Sequence, residues 1–522
     1  MSADYIIVGA GTAGCVLAER LSARGFRILL LEAGGHHRHM HVQIPAAFPK
    51  LFKTQRDWSY STTPQAALNN RAIFWPRGKM LGGSSSMNAQ IHQWCSAHDF
   101  DDWSIEGWRS ADLTPALKRV DSELNGGPLR DPNPLTHAFV QSAAAAGLRT
   151  HGGYNGGALE AGAWIAEVAH RDGARLSAAD AYLGKAKAAG ARVLTHAHVQ
   201  RILFDGKRAI GVELSQGRDL QRVTANAGVI LCGGAVNTPQ TLMLSGIGPA
   251  DQLKALGIEA RHHAPEVGVN LQDHLMFVMH YRAKRPISLR SAESPANLLR
   301  YILKRRGMLA SNIAEAIAFF ASSEGAPPDL EIVFAPALFE NEGLTSPSAH
   351  GFSMGVVLLA PKSRGRITLA SPDPHRAPEI DPGYLSDPDG SDLTRLIIGA
   401  HRAHAIATQA PLANENTGMM LPRALVDEAI TTAIRATAHT IYHPVGTCRM
   451  GADENSVVDT NLAVRGVERL WIADASVVPI IPSGHPNAVV AAIADRAAHI
   501  VGAQALDTST LRSAAIPRSS TD

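Results

Sequence analysis

Cysteine is scarce in this sequence: Cys15, Cys95, Cys232 and Cys448 are the four among 522 residues. They form neither a C-x-x-C pair nor the spacing of a disulfide scaffold, so they read as reduced thiols. An excess of one charge is also missing. Forty-nine basic residues face 47 acidic ones, for a formal charge of +2, without long single-sign blocks. That removes the electrostatic footprint expected of a nucleic-acid binder. No apolar run approaches the roughly 20 residues that span a bilayer, and no charged-then-apolar leader precedes the first strand pattern. The expectation is a cytoplasmic protein with no transmembrane segment. Aromatic residues make up only 5%, which argues against an aromatic-lined cavity. No repeat of 20 to 50 residues is apparent.

What is present begins at once. The apolar run Tyr5-Ile6-Ile7-Val8 stops at Gly9-Ala10-Gly11-Thr12-Ala13-Gly14, a G-x-G-x-x-G turn. Val16, Leu17 and Leu21 follow at helical spacing, Gly25 ends the helix, and Ile28-Leu29-Leu30-Leu31 runs into Glu32. This is a βαβ unit in which Gly9 allows the tight turn, Gly11 lets backbone approach a pyrophosphate and Gly14 lets helix and strand pack closely. The helix N-terminus, from Thr12 and Ala13, offers unpaired N–H groups and a positive dipole end to phosphates. Glu32 suits a ribose diol and disfavours a 2′-phosphate, so FAD or NAD is expected. At 522 residues the chain exceeds what one core usually supports, and two domains are expected.

Four histidines, His36, His37, His39 and His41, crowd the loop after Glu32. They lack cysteine or carboxylate partners at ligand spacing, so no metal site is assigned. Further on, Pro76-Arg77-Gly78-Lys79-Met80-Leu81-Gly82-Gly83-Ser84-Ser85-Ser86-Met87-Asn88 offers small residues whose backbone can lie flat against a planar ligand. A hairpin is read across Asp205-Gly206, with Val199, Ile202 and Phe204 before it and Ile210, Val212 and Leu214 after. The stretch Asn237-Thr238-Pro239-Gln240-Thr241-Leu242-Met243-Leu244-Ser245-Gly246-Ile247-Gly248 follows, then Val267-Gly268-Val269-Asn270-Leu271-Gln272-Asp273-His274.

With these motifs the chain resembles, over nearly its whole length, the glucose-methanol-choline family of FAD-dependent oxidoreductases. The resemblance implies an α/β fold: a Rossmann-like FAD-binding domain plus an α+β substrate domain with an antiparallel sheet. The FAD-binding domain is expected in three segments, 1–155, 190–275 and 440–503. The substrate domain is expected at 276–439 with part of 156–189, and a disordered tail at 504–522. Gly83, Asn88 and Ala89 are candidate cofactor contacts, and Val199 matches a position that meets adenine in relatives. Relatives that bind flavin covalently carry a histidine where Met87 stands, so FAD is expected without a covalent link. His92 and Cys95 depart from the usual pattern near the flavin; for His92 a structural hydrogen bond is favoured, and His274 is read as structural.

The chemistry is expected between Tyr442 and Asn487. His443-Pro444-Val445-Gly446-Thr447 precedes an apolar strand ending at Asp474-Ala475, and Ser483-Gly484-His485-Pro486-Asn487 opens a helix. Alcohol oxidation sends a proton and a hydride in opposite directions, and histidine suits the proton because its ordinary pKa lies near working pH. The resemblance places the catalytic pair at His443, favoured as base, and His485, favoured as orienting partner. It also places Asp474 and Ala475 near the pyrophosphate and ribityl side and Asn487 near the flavin ring. The expected activity is oxidation of a primary or secondary alcohol to its aldehyde or ketone, with oxygen, a quinone or an electron carrier as final acceptor. A flavin-containing lyase, or an NAD- or ligand-binding module built on the first βαβ unit, are the alternatives.

Overall fold

The computed structural model describes residues 2–514. Its first layer is a seven-stranded sheet in the order Arg192–Leu194, Ile28–Leu31, Ser2–Val8, Asp219–Leu231, Arg208–Gln216, His198–Asp205, with Leu470–Ile472 added to the end of Asp219–Leu231. The first four strands and Leu470–Ile472 run parallel, while the hairpin strands are antiparallel. Tyr5 to Val8 are buried throughout, as expected of a central parallel strand covered on both faces. The Thr12–Ala23 helix covers one of them and packs on Asn487–Ala514, the last helix. Tyr5 Oη donates to the carbonyl of Val501 at 3.2 Å. Buried Asp495 on that last helix receives Arg20 at 2.7 Å and Arg119 at 2.5 Å. Thus the two ends of the chain close one layer. The last helix continues past residue 503, where the sequence reading ends ordered structure, so the expected tail begins as helical backbone; residues 515–522 lie outside the described residues.

The second layer is an antiparallel seven-stranded sheet. Its order is Asn416–Leu421, Leu275–Ala283, Gly351–Leu358, Leu330–Ala335, Ala316–Phe320, Gly162–Ile165, with His439–Thr440 beside Leu275–Ala283. The Pro134–Ala145 and Ser391–Ala407 helices pack on it, and Phe139 stacks on Phe334 with ring centroids 4.6 Å apart. Segment 156–189 divides between the layers: Gly162–Ile165 joins this sheet, whereas the Ala178–Ala188 helix packs on Thr12–Ala23. That helix starts with a capping box between Ser177 and Asp180, which satisfies two otherwise orphaned N–H groups. Trp103 and Trp108 are both buried.

Candidate active site

A single long cavity runs between the layers from the glycine turn to the two histidines. At the first end, Gly9 has φ +101°, and a Cβ there would lie 2.4 Å from the carbonyl oxygen of Cys232; only glycine fits. Gly83, at φ +53°, would push a Cβ to 2.7 Å from the Cα of Gly11, so two glycine backbones touch across the cavity floor. A Cβ on Gly11 itself would meet only Gly83, at 4.0 Å, which leaves its other side open. No side chain caps the Thr12–Ala23 helix, so its first N–H groups remain for a ligand. These features fit a pyrophosphate.

Gly9, Gly11, Thr12, Ala13, Glu32, Gly83, Asn88, Ala89, Val199, Asp474, Ala475 and Asn487 all reach this cavity. Gly14 does not line it; it lies beneath, where a Cβ would strike the carbonyl oxygen of Gly9. Glu32 accepts from the N–H of Ala10 at 3.0 Å and of Gly34 at 2.8 Å, and burial pushes its pKa up to about 7. Each bonded oxygen keeps a second lone pair for a hydroxyl. Asp474 is a brace: its carboxylate accepts from Gly234 N at 2.8 Å, Thr238 Oγ1 at 2.6 Å, Ser476 N at 2.8 Å and Ser476 Oγ at 2.6 Å. It caps the Ala475–Val477 turn and ties the Gly234–Leu244 helix to the strand end. Asn487 accepts from Thr12 Oγ1 at 2.7 Å, joining the starts of the first and last helices. Pro486 stands immediately before the last helix, its carbonyl accepting from Val490 N at 2.9 Å.

The far end is built from side chains. His443 and His485 face each other at 81°, ring centroids 4.8 Å apart, and both line the cavity. Behind His443 stands His274, with the two Nδ1 atoms 3.0 Å apart and His274 Nε2 3.0 Å from the carbonyl oxygen of Leu359. A carbonyl only accepts, so His274 carries its proton on Nε2. Burial depresses the His274 pKa to about 3, so its Nδ1 is a bare acceptor. His443 must therefore donate from Nδ1, which leaves the Nε2 lone pair to the cavity. Burial, reinforced by the neighbouring His485 and His274, holds the His443 pKa well below the ordinary histidine value. Asp273 Oδ1 accepts from the His443 backbone N–H at 2.8 Å.

His485 is fixed separately. Its backbone N–H donates to Gln93 Oε1 at 3.0 Å, and its Nε2 lies 3.0 Å from Glu331 Oε1. Glu331 is fully buried, on the Leu330–Ala335 strand, and its Oε2 has no partner. Gln93, Asp273 and Glu331 were not singled out from the sequence. For Glu331 the signal existed: side chains alternate along a strand, and Val333 and Ala335, of the same parity, line the cavity. An acid on the cavity-facing parity of an apolar strand marks a paired group.

Two expectations about the surroundings resolve differently. His92 does not reach the cavity; it is buried with Nε2 3.0 Å from Asp121 Oδ1, the structural role favoured for it. Cys95 Sγ lies 3.8 Å from the carbonyl oxygen of His485. The low aromatic content misled: Phe48, Phe52, Phe339 and Tyr442 all line the cavity, Phe52 meeting Tyr442 edge to face at 5.9 Å. A handful of aromatic residues suffices to line part of the cavity, which bulk composition cannot reveal. Of the histidine loop, His37 pairs with Asp180 at 3.0 Å, and His39 caps the Met40–Gln43 helix.

Family models described as GMC oxidoreductase match residues 3–276 and 361–494. An uncharacterised GMC-type oxidoreductase of Mycobacterium tuberculosis is 43% identical over 95% of this chain and 99% of its own. An alcohol dehydrogenase [acceptor] of Pseudomonas putida is 40% identical over 95% of each chain. Among solved structures, pyridoxine 4-oxidase from Mesorbium loti superposes with a TM-score of 0.87 at 30% identity, covering 95% of this chain and 98% of that one.

Proposed function

The chain belongs to the GMC oxidoreductase family, and from that membership we propose that it oxidises an uncharged, apolar primary or secondary alcohol to its carbonyl compound. It binds FAD, held by the glycine turn, Glu32 and the Gly83–Ala89 stretch. FAD supplies the hydride acceptor. The observation that carries the reading is the hydrogen-bond chain from Leu359 through His274 to His443 Nδ1, which leaves the Nε2 lone pair of this cavity-lining histidine free. Nε2 takes the hydroxyl proton as general base. His485, held through Glu331, fixes the hydroxyl opposite it.

The substrate class follows from the wall. Ile91, Val278, Ile313, Val333 and Phe339 make the histidine end apolar. The lining carboxylates, Glu32 and Asp474, belong to the dinucleotide end, while Arg77 near the histidines donates to the carbonyl of Tyr442 at 2.6 Å. Glu331 at that end does not line the cavity and is engaged by His485, so a cationic alcohol finds no lining carboxylate there. The test is anaerobic flavin absorbance during titration with aliphatic, benzylic and quaternary-ammonium alcohols. Bleaching by the apolar alcohols and not by choline supports the reading; the reverse order of preference overturns it.

A further inference from the structure

The Pro295–Lys304 helix turns its apolar side outward. Leu298 is 41% exposed, Leu299 57%, Ile302 63% and Leu303 70%. At 100° per residue these four fall in one arc of about 140°. The opposite side holds the helix to the protein: Tyr301 is buried and donates to the carbonyl of Gly173 at 3.1 Å, and Asn297 donates to that of Ser291 at 2.8 Å. A surface helix ordinarily buries its apolar stripe and wets its polar one; this one does the reverse, with four large aliphatic side chains in water.

The charge on the helix itself has one sign, with Glu293 ahead of it paired to Lys50 and Arg306 beyond it paired to Asp131. Arg300 and Lys304 border the arc on an exposed flank, Arg305 and Arg306 follow, and no carboxylate occurs from Pro295 to Arg306. Protein-binding surfaces favour aromatic anchors and few charges at their centre; an aliphatic face edged by cations is the composition of a helix lying in a lipid interface. The helix packs on the Met308–Ala310 turn, which packs on Pro45–Leu51, and Phe48 of that segment lines the cavity. Among the described residues no helix is long and apolar enough to cross a membrane, so contact through this face is peripheral.

We propose that the exposed face of the Pro295–Lys304 helix docks on the surface of a bilayer containing anionic phospholipid. The aliphatic arc enters the headgroup boundary, and Arg300 and Lys304 meet the phosphates. Docking brings one wall of the cavity next to the bilayer, where apolar alcohols accumulate. The proposal stands independently of which alcohol is oxidised.

The test is co-sedimentation of purified holoenzyme with vesicles of equal parts phosphatidylcholine and phosphatidylglycerol, against pure phosphatidylcholine vesicles. The expected result is pelleting with the anionic vesicles, weakened by salt. Leu299→Asp/Ile302→Asp/Leu303→Asp lowers the partition coefficient by more than about tenfold and leaves flavin reduction by a water-soluble alcohol unchanged. Arg300→Glu/Lys304→Glu weakens binding to anionic vesicles. Wild-type protein that stays in the supernatant with both vesicles, or a triple variant that pellets like wild type, overturns the proposal. So does sedimentation velocity showing a wild-type dimer that the triple variant dissolves without any vesicle binding, since a second copy then covers the face.

Discussion

The two ends of the cavity are made by different means. The dinucleotide end is backbone: glycines pressed against carbonyl oxygens, open N–H groups of the Thr12–Ala23 helix, and a carboxylate, Asp474, used up in bracing them. The histidine end is side chain upon side chain, drawn from residues as separate as Gln93, His274, Glu331, His443 and His485. The first arrangement can hold a large cofactor with few specific groups. The second selects the tautomer of His443 and holds His485 in place, each through its own support. Damage to one end should therefore leave the other standing.

Four measurements sharpen or break that separation. The largest effect is expected of His443→Ala, which should slow flavin reduction by alcohol about 10²- to 10⁴-fold while the purified protein keeps its flavin absorbance. Loss of FAD together with the rate would show the two ends to be one unit. Next is Glu331→Gln, which keeps a hydrogen-bonding group beside His485 Nε2 but removes the charge; losing a charge-assisted bond should cost about 10- to 100-fold in kcat/KM, again with FAD retained. The converse test is Gly83→Ala. Its Cβ would meet the Gly11 backbone at positive φ, so the variant should lose about 1–3 kcal/mol of stability and bind FAD more weakly. Reconstituted with excess FAD, it should recover most of its rate.

The smallest effect is one of pH. A base is in its lone-pair form above its pKa and is lost as pH falls through it. The His443 value is held well below 6.5, so kcat/KM should stay flat as pH drops through 6.5 and fall only further into acid. An acid limb centred near 6.5 would mean that His443 is solvated as an ordinary histidine and that the His274 support does not operate.

The same contrast explains what could be read beforehand. Gly9 to Glu32 is one continuous unit whose spacing carries its geometry, so the turn, the helix and the acid were legible together. His443 and His485 stood out through resemblance, since nothing in a sequence with 23 histidines distinguishes two of them by type. What their supports pair with was hidden for a physical reason. Glu331 and His274 act through strand pairing that juxtaposes distant segments, and the partners become visible only when the second sheet is assembled. His274 was read as structural, and its contact with His443 makes it the group that selects the tautomer. Asp474 shows the reverse case, a residue at a ligand-binding strand end whose carboxylate serves the protein itself.

The hydrogen bond from Tyr5 to Val501 and the packing of the first helix on the last have a consequence for biosynthesis. Ser2–Val8 is central in its sheet, yet its neighbour Asp219–Leu231 is synthesised far later and the covering helix Asn487–Ala514 later still. Until that helix is made the apolar strand lacks its native cover, exposure of the kind that chaperones shield. FAD loading should therefore await synthesis of Asn487–Ala514, and chains truncated before that helix should lack flavin.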